Sequence, residues 1–125
     1  MKSVLRLLVA LPAVLFVVTG LRWLVDPSKA AAQLGMPLLD GLGRSSQIGD
    51  LSGFFLTLGM LILIAVITAR RVWYYPAIML LGIAALARLL AWLFHDATLA
   101  IEMIAVELVV ACLLLLASRT LTERE

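Results

Sequence analysis

Five charged residues stand in or beside long apolar runs: Arg22, Asp50, Arg88, Glu102 and Glu107. A charge at the centre of a membrane helix costs about 2.5–3.5 kcal/mol on insertion scales, so such side chains turn toward one another, a cavity or a partner. An arginine and a glutamate at matching depth can lock helix packing, line a pocket for a lipid or small amphiphile, or leave the carboxylate to carry a proton. Other chemistry-bearing types are sparse. His95 has no second histidine with which to share a metal, and Cys112 lies in an aliphatic run and reads as packing. Ser45, Ser46 and Ser52 have no base placed by the sequence, and no HExxH motif or phosphate-cradling glycine loop occurs. No metal and no cofactor is expected.

The elements that must position these residues follow from composition. The chain has 125 residues, of which 64% are hydrophobic and 14% charged, with a mean hydropathy of +1.12. Soluble domains are about 45–50% apolar and about 25% charged. A membrane protein is expected, as one transmembrane domain spanning 1–125. A net charge of +2 gives no reason to expect a nucleic-acid partner, and one cysteine excludes an internal disulfide.

A crossing helix needs about 20 largely apolar residues. Four runs qualify, at 4–25, 51–69, 72–94 and 97–117, and none alternates as a barrel strand would. The fold expected is therefore all-α, a four-transmembrane-helix bundle. The first run continues apolar through Leu24 with no A-x-A site, which favours a retained span over a cleaved signal peptide. Between the first two spans, Asp26 can cap a helix, Pro27 suits its first turn and Gly35 its end. A short interfacial helix over 27–34 is expected, then a loop containing Pro37, Gly41 and Gly43.

With four spans, Lys2, Arg6, Arg70, Arg71, Arg119 and Arg124 share one side, against Arg22, Lys29 and Arg44 on the other. By the positive-inside rule both termini are expected to be cytoplasmic. Trp73, Tyr74 and Tyr75 then mark the inner boundary, with Trp23 and Trp92 toward the outer one. All five charged candidates fall in the outer half.

Helical spacing refines the candidates. Arg88, Trp92 and His95 share one face of the third span, and Asp50, Gly53 and Thr57 one face of the second. Gly49 and Gly53 form a small-xxx-small pair, read as intramolecular packing. Arg88 and Glu107 are expected to meet, unless Arg88 snorkels to the surface. Glu102 and Glu107, five apart, point in different directions, so Glu102, about one and a half turns into the fourth span, is expected to face the outer loop or water instead.

With these residues in place, the chain resembles a family of small bacterial four-helix membrane proteins, the domain of unknown function 4345 family. The likeness rests on Gly20-Leu21, Asp26-Pro27, Leu34-Gly35, Asp50-Leu51-Ser52-Gly53, Gly59, Ala87-Arg88-Leu89-Leu90 and Val106-Glu107-Leu108. Ile48 and Ser52 depart from the family's arginine and Gly-Gly pattern at the second span. The resemblance implies an integral membrane bundle, with Arg88 and Glu107 at matched positions and no activity or cofactor to carry over.

Three functional readings follow. The first is a non-enzymatic module whose polar pocket, formed by Arg22, Asp50, Arg88, Glu102 and Glu107 and lined by Thr57, Trp92 and His95, binds a lipid, a small amphiphile or a partner subunit. The second is a small proton-coupled exporter acting as a homodimer through Glu107. The third is a membrane enzyme using Glu107 or His95 as acid or base, for which no further catalytic group is present.

Overall fold

The computed structural model describes residues 1–122. Its helices are α1 (Lys2–Val25), α2 (Pro27–Gln33), α3 (Gly41–Thr68), α4 (Tyr74–Phe94) and α5 (Ile101–Thr120), with a 3₁₀ turn, η1, over Arg71–Trp73. Among the described residues there is no strand. Four segments are long and apolar enough to cross a membrane: α1, α3, η1 with α4, and α5. This is a multi-pass helical membrane protein. Arg124 lies outside the described residues.

The chain forms two compact units, one of residues 1–10 with those from 61 onward, the other of residues 11–60. In the first unit, α4 packs on α5. The buried positions of α4 are Tyr74, Ala77, Leu81 and Ala85, and those of α5 are Glu107, Val110, Leu114, Ala117 and Ser118. Spacings of three and four residues make each set a single stripe. The alanines and Ser118 let the backbones approach, as membrane interfaces require where lipid offers no hydrophobic drive.

In the second unit, α1 and α3 touch through glycines. A Cβ on Gly59 would lie 2.6 Å from the Ala13 carbonyl oxygen and from Val17 Cγ2, and one on Gly20 would lie 2.6 Å from Leu56 Cγ. Trp23 is fully buried over Ala30 and Ala31 of α2, with Leu34, Met36, Ile48, Leu51 and Phe55 around it. Its indole therefore fastens α2 to this unit and does not face a lipid boundary. Tyr74, at the start of α4, is likewise fully buried.

The short helix forms where expected. The Asp26 carboxylate accepts from Lys29 N at 3.5 Å and Pro27 opens the first turn, while Gly35 takes φ +75° just after it. The following loop is shorter than the sequence suggests, because Gly41 and Gly43 belong to α3. The side chains of α3's first turns hold that loop. Gln47 accepts from Leu39 N at 2.7 Å and donates to the Pro37 carbonyl at 3.0 Å. Arg44 donates through Nε to the Leu39 carbonyl at 2.7 Å and pairs with Asp40 at 3.1 Å. At 28 residues and about 1.5 Å each, α3 exceeds a hydrocarbon core of about 30 Å. Its polar first nine residues supply the excess, which leaves Asp50 at the edge of the apolar run.

The fourth span also shifts. Asp96 adopts φ +56° and residues 96–100 are non-helical, so α5 begins at Ile101. Two further expectations are corrected. A Cβ on Gly49 or Gly53 would meet nothing within 4 Å and both residues are exposed, so this pair makes no intramolecular contact. The packing glycines are Gly20 and Gly59, which no short spacing advertises. Cys112 is exposed and does not pack in a core.

The contrast between glycines is measurable. Gly59→Ala should lower the thermal midpoint of detergent-solubilised protein, with about 1–3 kcal/mol lost to overpacking against backbone. Gly53→Ala should leave the midpoint unchanged or slightly raised. Equal effects would refute the close approach at Gly59.

Candidate functional site

The buried stripes on α4 and α5 end in charge. One turn beyond Ala85 the next stripe position is Arg88, and the first buried position of α5 is Glu107. Arg88 lies six residues before the end of α4 at Phe94, and Glu107 six after the start of α5 at Ile101. Each is thus about 9 Å along its helix from the connection, so antiparallel neighbours bring them level. Arg88 Nε donates to Glu107 Oε1 at 2.9 Å. Glu107 is 7% exposed, whereas 35% of the Arg88 side chain is exposed. The arginine is part-exposed and the glutamate is buried.

The hydrogen bond uses only Nε. Among the described residues, no protein acceptor engages the terminal nitrogens of Arg88. They carry four of the five donors of a guanidinium, held on a rigid plane by the pairing of Nε with Glu107. In hydrocarbon an unmatched donor is costly. The geometry therefore presents a pre-oriented fork to any acceptor arriving at the rim. It suits an oxygen-rich anionic head, because guanidinium binds carboxylate and phosphate in two-point fashion.

Of the remaining candidates, Glu102, Trp92 and His95 share this unit, and among the described residues none of them forms a hydrogen bond or ion pair with Arg88 or Glu107. Glu102 is exposed and lies in the first turn of α5. The sequence placed it deeper because residues 97–100 are apolar; as chain outside the helix, they bring it to the terminus, where a carboxylate favours the helix dipole. Trp92 and His95 follow Arg88 along α4 and are both exposed; His95 ends the helix, its backbone N–H donating to the Ala91 carbonyl at 3.0 Å. Arg22, Asp50 and Thr57 belong to the other unit. Among the described residues their side chains form no hydrogen bond or ion pair. Asp50 and Thr57 are exposed and Arg22 is half-buried.

Sequence reasoning missed a second arginine contact on the same seam. Arg71 Nε donates to the Ser118 carbonyl at 2.9 Å, tying η1 to the last turns of α5. The Arg70–Arg71 doublet reads as topological charge, and nothing in its spacing distinguishes the residue that caps a neighbouring helix. Among the described residues, no group of histidine, cysteine and acidic side chains could hold a metal.

Searches of known families, curated proteins and solved structures yield no match to this chain. The geometry of the pair therefore carries the functional reading.

The unequal exposure of the partners sets the expected stability pattern. Breaking a buried pair costs about 3–5 kcal/mol because a charge is left alone, and the more buried partner is Glu107. Arg88→Met, which strands the carboxylate, should therefore destabilise more than Glu107→Gln, which strands a partly exposed guanidinium. The double variant Arg88→Met/Glu107→Leu should recover much of the loss. Thermal or denaturant unfolding in detergent measures all three, and simple additivity of the single effects would disprove the coupling.

Proposed function

We propose that this chain is a non-enzymatic membrane module that binds an amphiphile with an acidic head at the rim where Arg88 and Glu107 meet. The observation that carries the reading is the arginine's engagement through Nε alone. Glu107 holds the guanidinium through Nε and leaves its terminal donors without an acceptor among the described residues. Exposed Trp92, one turn further along α4, offers an amphipathic ring beside that head. Exposed aliphatic side chains on the same helices, including Leu89 and Val106, suit the tail.

The four spans form one bundle in this reading, with α2 lying at the membrane interface. Lys2, Arg6, Arg71 and Arg119 lie toward the cytoplasm by the positive-inside rule, in a bacterial inner membrane. The pair then belongs to the outer half of the bilayer, open to an extracytoplasmic ligand or a partner subunit. Membership of the domain of unknown function 4345 family forms part of the same proposal, supported by the contact between the two residues at its matched positions. The exporter reading draws less support: Glu107 is almost fully buried and already bonded, whereas a proton carrier needs access to water.

Binding of oleate and of oleyl alcohol, titrated calorimetrically in mild detergent, tests the reading. Oleate should bind several-fold more tightly. The preference should vanish in Arg88→Gln, survive in Arg88→Lys and persist in Glu107→Gln. Equal binding of the two probes, or a preference that survives Arg88→Gln, rejects an acidic-head site at this pair.

A further inference from the structure

The opposite end of the same unit holds a different arrangement. The first turns of α1 and the last turns of α5 enclose an open cleft of about 640 Å³, within the range of about 300–1,000 Å³ typical of small-molecule sites. Its walls are almost wholly aliphatic, with Leu5 and Leu8 on one side and Leu113 and Leu116 on the other, while Lys2 and Thr120 stand at its mouth. The Thr120 hydroxyl donates back to the Leu116 carbonyl at 2.9 Å, and Lys2 supplies the charged side chain of the lining.

Further cations lie on the same end of the unit. Arg6 follows Lys2 by one helical turn on α1. Arg119 is on the last turn of α5, and Arg71 is anchored there through the Ser118 carbonyl. Lys2, Arg6 and Arg119 are exposed. Among the described residues, no acidic side chain occurs on the segments that meet at this end; Glu123 and Glu125 lie outside the described residues.

We infer that this cleft is a binding site for an anionic phospholipid of the adjacent leaflet, one acyl chain between α1 and α5 and its phosphate among Lys2, Arg6 and Arg119. Charge complementarity selects the occupant. A neutral lipid would fill the aliphatic cleft equally well but would leave the collar of cations unmatched, whereas each basic residue near a membrane surface favours an anionic head by about 1 kcal/mol, or about fivefold. A free anion would satisfy the cations and leave the apolar cleft unfilled. Lipid with a charged head satisfies both. This site is separate from the Arg88–Glu107 rim, and neither reading depends on the other.

Native mass spectrometry of the detergent-solubilised protein, titrated with palmitoyl-oleoyl phosphatidylglycerol or the corresponding phosphatidylcholine, tests the inference. Phosphatidylglycerol should occupy the protein several-fold more. Lys2→Gln/Arg119→Gln should bring the two lipids to nearly equal occupancy, while Lys2→Arg/Arg119→Lys keeps the preference. Leu116→Trp, at an exposed position that lines the cleft, should lower occupancy by both lipids with helicity unchanged. Excess inorganic phosphate should displace neither. Equal occupancy by the two lipids, a preference unaltered in the glutamine variant, or undiminished binding in Leu116→Trp overturns the proposal. Displacement by inorganic phosphate overturns it in favour of a simple anion site.

Discussion

A guanidinium and a carboxylate inside hydrocarbon must find each other, and the contact between Arg88 and Glu107 constrains much of what surrounds it. It requires α4 and α5 to run antiparallel with the two residues level, which sets the register of the whole seam. Once Arg88 meets Glu107, the rows from Ala85 back to Tyr74 and from Val110 on to Ser118 fall opposite each other. Small side chains along both rows then permit close packing, and a second arginine closes the far end through the Ser118 carbonyl. The seam is aliphatic along its length and polar at its two ends.

Such a pair is poor evidence for stability, since apolar replacements of matched volume often pack as well or better. What it supplies is specificity. Sliding α5 by one residue along α4 would strand a carboxylate in lipid, a penalty that no aliphatic contact imposes. The alanine-rich seam needs that device, because small residues fit one another in several registers. A structural role of this kind and a ligand-binding role are compatible. Glu107 uses one oxygen to fix the arginine's plane, and the arginine still presents its terminal nitrogens at the rim.

The sequence made the spans legible because unbroken apolar runs of the right length have few other uses. It made the pairing of Arg88 with Glu107 legible because depth can be counted along a helix and two opposite charges in lipid leave few alternatives. It did not reveal where the fourth helix starts. Residues 97–100 are apolar enough to pass for a span, and the positive φ of Asp96 that interrupts them is a backbone choice with no hydropathy signature. That four-residue difference moved Glu102 from one and a half turns inside the span to its first turn, while its exposure agrees with a side chain facing the outer loop or water. The glycines were misread for a similar reason. Gly49 and Gly53 carry a familiar spacing yet face outward, while Gly20 and Gly59 lie far apart in sequence and meet the opposing helix one at a time. A spacing rule detects two small residues on one helix but not one small residue on each of two.

The first unit is polarised, and its two ends ask different things of a membrane. At one, a single arginine is held in plane by a buried partner and is selective in orientation. At the other, Lys2 lines an aliphatic cleft and further cations lie on the same end of the unit, an attraction that is diffuse and depends on how many there are. One fixed fork discriminates among heads by geometry, whereas a collar of flexible side chains discriminates by charge. The aliphatic seam between them has no polar side chain to relay a proton or ion from one end to the other.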